Sequence, residues 1–123
     1  MRTGRVQVTF DCRDPEALAK FWAAVLGYDV RKVEADTWAY TKDPDGTGPP
    51  LFFQRVPESK VVKNRVHLDV RAPAGDEGDR RAQVDAEVDR IVALGGRRDH
   101  DVTDEAGYFV VMNDPEGNEF CVD

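Results

Sequence analysis

DPEGNEF, residues 114–120, has a shorter counterpart earlier in the chain, DPDG at residues 43–46. In each, an Asp starts the turn, a Pro presets the next φ, and a Gly supplies the left-handed position. A turn written twice points to a unit written twice. The surrounding sequence bears this out. Residues 5–12, RVQVTFDC, alternate: Val6, Val8, Phe10 and Cys12 fall on one face, Gln7, Thr9 and Asp11 on the other. That pattern predicts a strand with one apolar side. Asp14-Pro15 then reads as a helix N-cap and first turn. Leu18, Phe21, Trp22, Val25 and Leu26 recur at helical spacing, and Gly27 is a stop, so a helix is expected over 14–27. Strands are expected at 28–34, 36–42 and 50–56, with DPDGTGPP between the last two.

The same order recurs downstream. Residues 64–71, NRVHLDVR, alternate, with His67, Asp69 and Arg71 opposite Val66, Leu68 and Val70. PAGDEGDRR, residues 73–81, reads as a charged loop. Val84, Val88, Ile91 and Val92 mark a second helix that stops at Gly95-Gly96. Strands are expected at 97–103, 107–113 and 117–122. The correspondence drifts from Gln7/His67 through Leu26/Leu94 to Asp43/Asp114, as longer loops in the second half would cause. The expected fold is therefore α+β, built from two βαβββ modules at about 5–56 and 64–122 of a single domain. One module alone leaves a sheet face uncovered, and two can share an interior.

Composition narrows the function. A chain of 123 residues with 41% hydrophobic content suits one domain with a real core. The net charge of −7 and pI near 4.8 argue against a nucleic-acid partner. No apolar run approaches the roughly 20 residues that span a bilayer, so no membrane partner is expected. MRTGRVQVTFD turns charged and alternating too early for a signal peptide. Cys12 and Cys121 make no disulfide framework and read as reduced thiols of a cytoplasmic protein.

The segments DPEALAKFWAAVLGYDV (14–30), KNRVHLDVRA (63–72), VDRIVALGG (88–96) and FVVMNDPEGNEFCV (109–122), in this order, resemble the vicinal oxygen chelate superfamily. Its members include glyoxalase I, bleomycin-resistance proteins and extradiol dioxygenases, and the small glyoxalase-like domain proteins are the nearest in appearance. The resemblance implies that the modules curl into a mixed sheet forming an incomplete barrel, with helices outside and a cup between the modules. It also implies a metal position on the first and last strand of each module. Those positions fall here on Gln7, Gln54, His67 and Cys121, with Glu119 sharing a strand face with Cys121. Two neutral amides are poor ligands for a tight divalent site.

The expectation is thus a cup that binds a small, partly aromatic ligand without a complete metal centre or any required cofactor. The alternative is a metal-dependent lyase, isomerase or dioxygenase holding a divalent ion at His67, Glu119 and Cys121. The expected lining is Gln7, Thr9, Trp38, Tyr40, Phe52, Gln54, His67, Asp69, Tyr108, Glu119 and Cys121. Trp38 with Tyr40, Phe52 with Gln54, and Tyr108 with Val110 and Met112 each share a strand face. Ordinary core packing is the competing account of these aromatics. Phe21 and Trp22 are expected in the core and Cys12 as an inert buried thiol. His100 is expected at the surface, and Asp43 and Asp114 as caps of their own turns. A homodimer is the expected assembly, because relatives pair and strand edges need cover.

Overall fold

A computed structural model describes residues 4–73, 79–105 and 107–123. The chain divides into two compact units, Met1–Lys60 and Val61–Asp123. The first holds β1 (Val8–Cys12), α1 (Pro15–Leu26), β2 (Asp29–Glu34), β3 (Trp38–Lys42) and β4 (Leu51–Arg55). The second holds β5 (Asp69–Val70), α2 (Arg80–Ala93), β6 (Arg97–Asp104), β7 (Gly107–Asn113) and β8 (Glu119–Val122). Both are βαβββ modules, and the class is α+β.

Each module carries one four-stranded mixed sheet, in the order β1-β4-β3-β2 or β5-β8-β7-β6. In both, the last strand inserts beside the first, in parallel, while the other pairings are antiparallel. The duplication reaches the irregularities. The β2–β3 ladder slips between Val30 and Lys32, and the β6–β7 ladder slips between Arg98 and His100, at matching places. A bulge of this kind bends an edge strand and raises its twist.

The two DP turns are also built alike. Asp43 accepts hydrogen bonds from the Asp45 and Gly48 amides and from the Thr47 hydroxyl. Asp114 accepts from the Glu116 and Asn118 amides and from the Asn118 side chain. Gly46 and Gly117 sit at φ +72° and +86°, where a β-carbon would be strained. The two Asp residues cap their own turns.

Helix α1 starts where Asp14 accepts from the Ala17 amide at 3.1 Å, with Pro15 following. It ends at Gly27, which takes the left-handed conformation at φ 71°. Its inner face buries Leu18, Ala19, Phe21, Trp22 and Val25 against β2, β3 and β4. Phe10 joins them, 5.5 Å from the Trp22 ring and stacked at 5.1 Å on Phe53. Cys12 is buried in this layer, its thiol against the Gln54 carbonyl at 3.5 Å. Removing a side chain the size of Leu18 or Phe21 from water stabilises by about 2–3 kcal/mol.

Helix α2 packs on β6, β7 and β8 and buries Val84, Glu87, Val88 and Ile91. Glu87 tolerates this because Arg90 donates to its carboxylate from one turn on. Val92, expected in the apolar stripe, is 45% exposed. It lies roughly 80° around the helix from the Val84–Val88–Ile91 row.

One strand is much shorter than its alternation predicts. Residues 64–71 yield only Asp69–Val70 as β5. The Asn64 amide donates to the Glu119 carboxylate and the Asn64 side chain to the Glu119 carbonyl. Side-chain bonds thus replace the ladder, which begins only at the Leu68 carbonyl. Val66, expected on the apolar face, is 81% exposed. The charged loop expected at 73–81 falls largely on residues 74–78, outside the described ones. Among the described residues, no helix is long and apolar enough to cross a membrane.

Candidate functional site

Register sorts the N-terminal sheet into two faces. Val8, Phe10 and Cys12 stand beside Leu51, Phe53, Ala39 and Thr41, all on the α1 side. The other face collects Thr9, Asp11, Phe52, Gln54, Trp38 and Tyr40. Phe52 stacks on Trp38 at 5.6 Å with the rings 29° apart. Tyr40 lies directly across from Phe52, and Thr9 flanks it on the other side. All three aromatics are half-buried.

The polar groups of this face are tied together. Gln54 donates to the Asp11 carboxylate at 2.7 Å. Lys32, on neighbouring β2, places its ammonium 5.5 Å from the Trp38 ring centre. The face therefore offers an aromatic platform edged by a cation, a carboxylate and an amide. Gln7 lies one residue before β1 and is exposed, so it is outside the ladder. Asp11 and Lys32 were absent from the expected lining. Period-two alternation from Thr9 places Asp11 on this face. Lys32 needed the β2–β3 register, which the bulge at Arg31 hides.

The second module gathers different chemistry. Asp69 and Cys121 are register partners on β5 and β8. The His67 Nε2 lies 3.2 Å from Asp69 Oδ1. Donor atoms of His67, Asp69 and Cys121 all fall within 4.8 Å of one another. Burial pushes the Cys121 thiol above its ordinary pKa, and the Asp69 and Asp123 charges push the same way, against Lys63. Asp123 Oδ1 is buried with no hydrogen-bond partner among the described residues. An imidazole, a carboxylate and a thiol, with the Asp123 carboxylate close enough to act on the thiol, suit a borderline divalent cation such as zinc. The donor set fits a metal, though not the set expected from the sequence. Asp69 takes the place given to Glu119, whose carboxylate is engaged by the Asn64 amide.

Tyr108 is the residue whose position differs most from expectation. It shares its face with Val110 and Met112, both fully buried. That face is the α2 side: the Tyr108 hydroxyl donates to Asp85 of α2, and the Arg81 guanidinium covers its ring at 4.4 Å. The hydrogen bond to Asp85 raises the phenol's pKa. Tyr108 is a helix-packing residue, drawn there because Val110 and Met112 face the core. His100 is at the surface as expected, paired with Asp99 at 2.8 Å.

Residues 7–122 match the sequence model of the glyoxalase-like domain. No curated protein matches the chain in a sequence comparison. Among solved structures, the chain is similar to a variant of the fosfomycin resistance protein FosX from Listeria monocytogenes, complexed with Mn(II) and dihydroxypropylphosphonic acid. That match has TM-score 0.74 and 14% identity, covering 99% of this chain and 90% of that one. A glyoxalase/bleomycin resistance protein/dioxygenase family enzyme from Burkholderia phytofirmans gives 0.71 and 18%, over 94% of each chain. Lactoylglutathione lyase from Agrobacterium tumefaciens gives 0.63 and 20%, over 98% and 92%. At these identities the structural likeness establishes the fold. With the sequence match over nearly its whole length, the chain belongs to the glyoxalase-like domain family, within the vicinal oxygen chelate superfamily.

Proposed function

We propose that this protein binds a flat small molecule on the aromatic face of its N-terminal sheet, without a complete four-ligand metal centre. The stacked Trp38–Phe52 pair carries the proposal. It lies on the face turned away from α1, so the helix-packed core does not account for it. Aromatic stacking contributes about 1 kcal/mol beyond area burial. Thr9, Tyr40, Lys32 and the Gln54–Asp11 pair would orient a carbonyl or hydroxyl, each net hydrogen bond adding roughly 1 kcal/mol. Gln7 and Gln54, where the resemblance to metal-dependent members implies ligands, argue against a full metal set.

The test is a fluorescence titration with flat aromatic acids, phenols and quinones. Trp38→Ala is expected to weaken any hit about fivefold or more, the equivalent of about 1 kcal/mol, with Trp38→Phe close to wild type. A hit that binds Trp38→Ala as tightly as wild type would overturn the reading.

A second reading rests on the His67–Asp69–Cys121 cluster. It makes the protein a metal-dependent enzyme of the superfamily. In that case His67, Asp69 and Cys121 would hold the ion, which would supply Lewis-acid activation of a substrate oxygen. Binding would have to displace the proton from the raised Cys121 thiol, so uptake should strengthen as pH rises. Elemental analysis decides between the two. Less than one divalent metal per chain is expected. One zinc per chain, lost in His67→Ala, would promote the second reading.

A further inference from the structure

A cleft of about 430 Å³ opens at one end of the N-terminal sheet, lined by Arg13, Asp36, Thr37, Arg55, Val56 and Pro57. Its walls are fixed by the fold. Arg55 ends β4, and Arg13 follows the last residue of β1. The Arg55 amide donates to the Thr37 carbonyl at 2.9 Å and the Val56 amide to the Cys12 carbonyl at 2.8 Å. Asp36 sits in the β2–β3 turn at φ 60°, a conformation Asp accepts more readily than most residues. The turn is closed by the Thr37 amide on the Glu34 carbonyl. Ser59 accepts a hydrogen bond from the Arg13 guanidinium at 3.0 Å and steers it.

Two arginines thus line a small cleft on a chain whose net charge is −7. The cleft itself carries two positive charges and one negative. No ion pair or side-chain hydrogen bond to another described residue engages the Arg55 guanidinium or the Asp36 carboxylate. A planar guanidinium fork is well matched to a carboxylate or phosphate, and two arginines lining one cleft put two such forks within reach of one small ligand. The backbone bonds that hold the cleft are made already, so the ordering that opposes binding falls on the side chains, Arg55 above all.

We propose that the Arg13–Arg55 cleft is an oxyanion site, taking the carboxylate or phosphate group of a small metabolite. The proposal does not depend on ligand binding at the aromatic face. Asp36 works against the charge of the anion and so weakens the site, while offering an acceptor to a hydroxyl of the same ligand.

The experiment is titration of the protein with inorganic phosphate and, separately, acetate at constant ionic strength, followed by amide chemical shifts. Saturable shifts are expected at Thr37, Arg55 and Val56. Arg55→Gln should weaken binding tenfold or more, and Asp36→Asn should tighten it about threefold. Asn tolerates the same backbone conformation, and both side chains are exposed, so both variants should fold; unchanged spectra elsewhere would verify this. Arg31→Gln, at an exposed arginine outside the cleft, is the control and should bind as wild type. Tighter binding of phosphate assigns phosphate esters, and tighter binding of acetate assigns carboxylates. Absence of saturable shifts with either anion, or an equal loss in Arg31→Gln, would overturn the site.

Discussion

The two modules share a backbone plan down to a matching bulge, yet their open faces carry different chemistry. On the first sheet, Trp38, Tyr40 and Phe52 surround an amide–carboxylate pair. In the second, β5, β8 and the segment just before β5 bring together Asp69, Cys121 and His67. The conserved part is what the turns and ladders need: an Asp that caps, a Gly at positive φ, an apolar row under a helix. The divergent part is the alternate row, whose side chains the ladder leaves unconstrained. A β-repeat can therefore keep its fold while each copy changes its chemistry, because period two separates the positions that fold from the positions that bind.

The helices differ in the same sense. Helix α1 buries Phe21 and Trp22, whereas the largest side chain that α2 buries completely is Ile91. Trp22→Ala should be the most damaging core change, at roughly 3–5 kcal/mol, since Trp22 is 1% exposed and touches both Phe10 and Phe21. Val88→Ala, in α2, should cost about 1–2 kcal/mol because less volume is lost. Chemical denaturation of both variants measures the gap, and equal losses would break the contrast between the two cores.

Within the first module, Leu51 and Phe52 are neighbours on opposite faces. Leu51→Ala should cost about 3 kcal/mol, since Leu51 is 1% exposed. Phe52→Ala should cost clearly less and instead reduce binding of any ligand that Trp38→Ala also weakens. Thermal melts with and without ligand separate the two effects. If Phe52→Ala proves the more destabilising, the aromatic face is core rather than platform.

The paired turns give a smaller contrast. Asp114 is 4% exposed and serves three donors, so Asp114→Ala should cost about 2 kcal/mol by stranding part-buried amides. Asp43→Ala should cost less, because its turn is more open to water. The Gly48 and Asp45 amides hold the Asp43 carboxyl below its ordinary value of 3.8. Its contribution is therefore complete above that value and lost as pH falls through the lower folded one. Stability curves of wild type and Asp43→Ala should converge in acid below about pH 4 and stay parallel above it. A constant difference down to the acid limit would remove the carboxylate from the account.

The module order was legible because its signals are local. Asp14-Pro15, Gly27, the two DP turns and the alternating strands each state their structure within a few residues. Residues 64–68 were misread because their partner is Glu119, far along the chain, and no local pattern records that contact. Tyr108 was misplaced for a related reason. Its alternation with Val110 and Met112 is correct, but only α2 decides which side of the sheet that row faces. Asp69 as a companion to His67 and Cys121 was within reach: His67-Leu68-Asp69 puts two donors on one strand face, and parallel pairing brings the third. The Arg13–Arg55 cleft needed the β1–β4 register, since the two arginines are remote in sequence.

The insertion of β4 and β8 between strands made earlier has a consequence for cutting the chain. Each is the last strand of its module yet lies inside the sheet, with neighbours on both sides. Cleaving at the Asp114–Gly117 turn would free a short segment containing β8 and leave a slot between β5 and β7. That slot would display two rows of unpaired amides and carbonyls at the middle of the sheet. A synthetic peptide carrying residues 118–123 has the hydrogen-bonding pattern to fill it, which makes this turn a natural place to split the protein into two pieces that reassemble by strand addition.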